Sequence, residues 1–144
     1  DAKEKTSIVY YKNRGGKLGL GPLWDFDLGA GNVDYSDAQF PTGWWIKDGP
    51  WFRRLFEDPN FRAKVKARWN AIKNKELKEV ATSIDKNAAY INLSQQRNFE
   101  LWKILDRKVW PNPVAYGTYA KELAQLKNWL NVRIAWMDAE INKF

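Results

Sequence analysis

A mainly helical chain that opens on a small N-terminal β-hairpin, an α+β arrangement, is predicted by three features of the sequence. Glycine and turn residues crowd the first third (Asn13-Arg14-Gly15-Gly16, Gly19, Gly21-Pro22, Gly29, Gly31-Asn32, Pro41, Gly43), whereas Gly117 is the only glycine after residue 50. Two short runs of strand-forming residues flank the Asn-Arg-Gly-Gly turn. Beyond residue 50, apolar residues recur at three- and four-residue steps.

The hairpin comes first. Residues 7–12 (Ser-Ile-Val-Tyr-Tyr-Lys) are β-branched and aromatic, and residues 17–24 place Leu18 and Leu20 at period two. Pro22 ends the ladder of the second strand because it has no N–H to donate. Helices follow. Asp58-Pro59 is an N-cap with proline at the first helical position, and Phe61, Val65, Trp69 and Ile72 predict a helix over 59–73. Leu77, Val80, Ile84, Ala88 and Ile91 mark the next. Ser94 is expected to cap a third, carrying Phe99, Trp102 and Leu105 and stopped by Pro111 and Pro113. Thr118 caps a long final helix whose stripe is Tyr119, Leu123, Leu126, Leu130, Arg133, Met137 and Ile141. The whole chain, 1–144, reads as one domain: a hairpin and loop region over 1–49 and a helical subdomain over 50–144.

Composition narrows the chemistry. The chain has 44% apolar and 28% charged residues, the balance of a globular domain. No Cys and no His are present, which excludes disulfides, thiol nucleophiles, imidazole bases and the usual zinc sites. No run of eighteen apolar residues occurs and the sequence opens Asp1-Ala2-Lys3-Glu4-Lys5, so neither a membrane span nor a signal peptide is expected. The net charge of +7 permits anionic partners, but Lys64, Lys66, Arg68, Lys73, Lys75 and Lys78 are dispersed as on a solvated helix face, and no nucleic-acid partner is expected. The only methionine is Met137 and residue 1 is Asp, so the chain is expected to start downstream of its gene's start.

The densest functional stretch is Gly21-Pro-Leu-Trp-Asp-Phe-Asp-Leu-Gly-Ala-Gly-Asn32. Asp25 and Asp27, two residues apart after a strand, project to one side if the backbone stays extended and can hold a hard cation such as Mg²⁺ against phosphate oxygens. Asn32 can return through Gly29 and Gly31 as an amide ligand. Turn formation or helix capping is the alternative use of the same residues. Protein-kinase lobes order a catalytic-loop Asp, a polar residue five positions on, a hairpin and then a metal-binding Asp-Phe-Gly. Here Asp1, Thr6 and Ser7, the hairpin, and Asp25-Phe26-Asp27 stand in that order, with Asp27 in place of the glycine and Thr6 in place of an asparagine.

Trp24-Asp25-Phe26-Asp27, preceded by Gly21-Pro22 and followed by Gly31-Asn32, resembles the WDxD signature of the spore-coat protein H (CotH) kinase family, atypical secreted or surface-associated bacterial kinases. Residues 1–12 look like that family's catalytic loop and following strand. The segments 51–61, 68–69, 97–99 and 129–133 look like its helical C-terminal half. The resemblance implies the C-terminal lobe of an atypical kinase-like fold, with ATP and Mg²⁺ as cofactors in the complete protein and Ser/Thr of a secreted or surface protein as substrate. It further implies that Asp25 chelates the metal, Asp27 or Asn32 supports it, and Asp1 orients or deprotonates the substrate hydroxyl. The nucleotide-binding N-terminal lobe is expected to be missing from this chain, which alone is expected to be inactive. Localisation is expected to be secreted or at the bacterial cell surface.

Aromatic residues supply a rival reading. Trp69, Trp102, Trp129 and Trp136 are expected in the core, and Trp24 is expected to anchor the acidic loop there. Trp44, Trp45 and Trp51 lie in a Pro/Gly-rich segment that can present rings to solvent. They make a candidate platform for carbohydrate or a protein partner in a noncatalytic surface module. Arg54 and Arg53 are expected to pair with Glu57 or Asp58, and Arg97 and Arg133 with aromatic rings or carboxylates.

Overall fold

The computed structural model describes residues 7–22 and 24–144. Strands β1 (Tyr10–Lys12) and β2 (Leu18–Leu20) pair antiparallel, with Tyr10 opposite Leu20 and Lys12 opposite Leu18. Gly16 N–H closes the turn on Asn13 O at 2.9 Å, with Gly15 at φ 72°. Both strands are shorter than predicted. Ser7 is left-handed (φ 59°) before β1, and Gly21 at φ 145° precedes Pro22 after β2.

Five helices follow: α1 (Pro50–Glu57), α2 (Pro59–Ile72), α3 (Glu76–Tyr90), α4 (Asn92–Leu101) and α5 (Tyr119–Ile141). The fold is therefore mainly helical with an N-terminal hairpin, as predicted. Two predicted caps are in place: Asp58 Oδ1 accepts from Asn60 N–H at 2.8 Å, and Thr118 Oγ1 accepts from Lys121 N–H at 3.2 Å. Every residue of the predicted α5 stripe is half-buried or buried. At 23 residues α5 spans about 35 Å.

Two helix boundaries differ from expectation. Helix α1, begun by Pro50 at its first turn after Gly49, has no predicted counterpart. Ser94 does not cap α4; the helix begins at Asn92, and Gln95 N–H already bonds Ile91 O at 2.8 Å. Helix α4 also ends well before Pro111. Trp102 turns extended (φ −106°, ψ 90°), and the chain folds back so that Leu105 O accepts from Gly117 N–H at 2.8 Å. That return leaves Trp102 59% exposed, outside the core where it was expected.

Helix α5 is the beam on which the rest packs: α2 and α3 lie against it, with α1 on α2 and α4 on α3. Trp69 of α2 is 6% exposed, and its indole N–H donates to Asp138 Oδ1 of α5 at 2.7 Å. Lys73 donates to the same oxygen at 2.7 Å. Asp85 of α3 pairs with Lys127 of α5 at 2.8 Å. Val33 and Ile141 complete the most deeply buried apolar set among the described residues. No helix among the described residues is long and apolar enough to cross a membrane.

Candidate functional site

The acidic loop leaves β2 through Gly21 and Pro22 and is shaped by local turns. Gly29 N–H bonds Phe26 O at 2.9 Å, and a Cβ on Gly29 would stand 2.8 Å from that oxygen, so only glycine closes this turn without displacement. Ala30 (φ 53°) and Gly31 (φ 85°) then reverse the chain. Asn32 folds back on the loop, and its Nδ2 donates to Asp27 O at 3.1 Å. It clasps the loop with its amide N–H, which leaves its carbonyl oxygen for a ligand.

The expectation of an extended backbone placing Asp25 and Asp27 to one side is corrected. Asp25 is left-handed at φ 62°, which breaks strand alternation. Its Oδ2 accepts from Ser7 Oγ at 3.0 Å, joining the acidic loop to the segment before β1. Asp27 instead lines a cavity of about 840 Å³ together with Asn32. Both carboxylates are exposed, and neither makes an ion pair with the described residues. Asp1 and Thr6 lie outside the described residues.

The cavity runs from the 26–32 loop to the 104–116 segment and α5, with Phe99, Leu105, Leu123 and Leu126 among its walls. A second cavity of about 880 Å³ shares Phe26, Gly29, Ala30 and Trp129 with the first and continues to Trp45 and Arg133. Two long-range anchors hold the loops against α5. Trp129 Nε1 donates to Gln39 O at 2.8 Å, and Arg133 Nη1 donates to Gly43 O at 2.7 Å and Pro41 O at 3.2 Å. Burial of the Arg133 guanidinium among these carbonyls pushes its pKa below the ordinary arginine value. Its carbon also sits 4.9 Å from the Trp136 ring, the cation–π role expected of it. Lys108 pairs with Asp34 at 2.8 Å and ties the 102–118 segment to the chain after the acidic loop.

The donor set suits magnesium. Among the described residues no cluster of three or more acidic, His or Cys side chains exists to form an all-protein cage. Mg²⁺ needs none, because it keeps several waters and takes one or two carboxylates plus phosphate oxygens. Asp25, Asp27 and the Asn32 carbonyl are all hard oxygen donors on one short loop.

The remaining candidates lie elsewhere. Trp44 is half-buried, its ring 5.0 Å from Trp136 and 5.7 Å from Phe144, with Lys47 Nζ 5.4 Å above it. Trp45 is half-buried on the second cavity, and Trp51 of α1 is 66% exposed. Arg54 pairs with Glu57, as expected. Trp24 is 66% exposed, which corrects its expected core anchorage: Asp25, not Trp24, ties the loop to a neighbouring segment. The role of Ser7 as partner of Asp25 and the cavity behind Asp27 were not legible, since both depend on segments brought together by folding.

Fold and loop together define a mainly helical protein that presents an acidic, glycine-hinged loop of oxygen donors after a β-hairpin. A model of the CotH kinase protein family matches residues 1–137, and the chain belongs to that family. Comparison with curated proteins and with solved structures found no match.

Proposed function

We propose that this chain provides the metal-binding and substrate-orienting part of an ATP- and Mg²⁺-dependent protein kinase acting on Ser or Thr of a secreted or surface-exposed bacterial protein. The observation that carries the reading is the conformation of Asp25. Asp25 is a non-glycine residue in the left-handed region whose carboxylate accepts from a hydroxyl of another segment, the kind of local strain that functional loops retain. Membership of the CotH kinase protein family supports reading this loop as a phosphate- and metal-handling element.

Bound Mg-ATP supplies the transferable phosphoryl group with its charge partly neutralised. The residues of the chain position rather than react. Asp25 would hold the metal, with Asp27 or Asn32 supporting it. Asp1 would orient or deprotonate the substrate hydroxyl. A site built of carboxylates and amides suffices, because phosphoryl transfer rests on positioning and electrostatics more than on covalent catalysis.

The test is Asp25→Ala in the complete protein, assayed for transfer of labelled phosphate from ATP, with circular dichroism as the folding control. A fall of at least about a hundredfold is expected, the scale of losing a principal charge-stabilising group. Turnover equal to wild type would refute the assignment. The carbohydrate- or partner-binding alternative keeps Trp51 as the exposed ring of the three, while Trp44 and Trp45 are half-buried.

A further inference from the structure

We propose that the connection between α4 and α5, residues 102–118, is a strap that opens and closes over the cavity at Asp27, latched by the Lys108–Asp34 ion pair and the Trp110–Tyr35 ring stack. The movement itself does not depend on the phosphotransfer reading; the purpose of the gate, to cover and uncover the acidic loop, rests on it.

The segment runs from the end of α4 at Leu101 to the start of α5 at Tyr119 without helix or strand. Connections of that length are uncommon in a compact fold and serve most often as lids or binding loops. Its base is fixed. Gly117 N–H donates to Leu105 O at 2.8 Å, and Tyr116 N–H donates to Glu122 Oε1 of α5 at 2.9 Å. Leu105 and Gly117 thus close the neck of an Ω-shaped loop. Among the described residues, the backbone hydrogen bonds of 106–115 stay inside the segment: Arg107 N–H donates to Ile104 O and Asn112 N–H to Val109 O.

Two side-chain contacts fasten the tip, both to consecutive residues just past the acidic loop. Lys108 Nζ stands 2.8 Å from Asp34 Oδ2, and the ring of Trp110 lies 6.2 Å from that of Tyr35 at an interplanar angle of 21°. Trp110 is 71% exposed and Tyr35 61%, and Lys108 is exposed as well. Ion pairs and ring pairs that face water hold weakly, so this latch releases without disturbing the core. Beneath the strap lies the cavity of about 840 Å³, walled by Leu105, Asn112 and Val114 on one side and by Phe26, Asp27 and Asn32 of the acidic loop on another. Lifting the strap parts two walls of a space instead of tearing packed side chains from each other, which keeps the lost contact small. Shut, the strap shields the Asp27 end from water; open, it admits a ligand.

The movement is read as a distance in the complete protein. Asp106→Cys on the strap and Asn131→Cys on α5, both at exposed positions, take a pair of nitroxide labels, and the chain itself supplies no competing thiol. Double electron–electron resonance on wild type is expected to give a major short distance and a minor long one. Lys108→Glu, which sets two carboxylates face to face, is expected to raise the long-distance fraction on the order of fivefold, and Trp110→Ala to raise it in the same direction. The exchanged pair Lys108→Glu with Asp34→Lys is expected to return the fraction to that of wild type. Far-ultraviolet circular dichroism is the folding control. An unchanged distance in both Lys108→Glu and Trp110→Ala overturns the strap, as does an exchanged pair as open as Lys108→Glu alone. Loss of the helical signal along with the shift assigns the change to unfolding and also overturns it. Release of the strap in these variants of a protein that transfers no phosphate upholds the strap and overturns the phosphotransfer reading.

Discussion

Gly31 lies directly against the indole of Trp129, 98 positions away in the chain: a Cβ on Gly31 would stand 2.5 Å from Trp129 Nε1 and 3.0 Å from Gln39 O. Those two atoms are the donor and acceptor of the 2.8 Å hydrogen bond that pins the loops to α5. A side chain at position 31 therefore wedges that bond open, and φ of 85° adds backbone strain for any L-residue.

Gly31→Ala is expected to destabilise the chain by about 2 kcal/mol or more, the sum of positive-φ strain and overpacking. Urea denaturation followed by tryptophan fluorescence measures it. An unchanged midpoint would show that the seam does not bear on stability.

Two tryptophans are expected to differ sharply. Trp69 is buried between α2 and α5, and Trp69→Ala should cost about 3–5 kcal/mol. Trp24 is largely exposed, and Trp24→Ala should stay within about 0.5 kcal/mol of wild type. Parallel denaturation curves check the contrast; equal losses would contradict the placement of Trp24.

Acid stability should depend on Asp138. Hydrogen bonds from Lys73 and Trp69 hold its carboxyl below the ordinary carboxylate range. A depressed folded-state pKa gives stabilisation that is present above the unfolded value of about 3.9 and disappears as pH falls through the folded value. The stability difference between wild type and Asp138→Asn should be constant above about pH 5 and shrink below about pH 4. A difference independent of pH in thermal melts would remove Asp138 as the titrating group.

Ser7 should tune the acidic loop through Asp25. Loss of the hydroxyl in Ser7→Ala is expected to weaken Mn²⁺ binding by roughly tenfold, as for other groups that orient a metal ligand, and Ser7→Thr should restore it. Isothermal titration with the metal alone reads this without any turnover. Equal affinity in all three proteins would detach Ser7 from the site.

Much of the helical part was legible because its signals are local. Asp58-Pro59 and Thr118 mark helix starts by satisfying free N–H groups within one turn, and the α5 stripe follows from 3.6-residue periodicity. Helix α1 also carries a local mark, Pro50 after Gly49, but at eight residues its apolar pattern is too short to set a period. The end of α4 was not legible from its own residues. Trp102 continues the apolar period, yet the chain leaves the helix there and returns to pair Leu105 with Gly117.

The acidic loop divides the same way. Its residue types, oxygen donors punctuated by glycines, are a property of the local sequence. The Ser7 bond to Asp25, the Gly31–Trp129 contact and the cavity at Asp27 each join residues from separate segments. Short-range preferences act over a turn of chain. Which distant surfaces meet is settled by the combined packing of α5 with everything laid upon it, and that sum is not written at any one position.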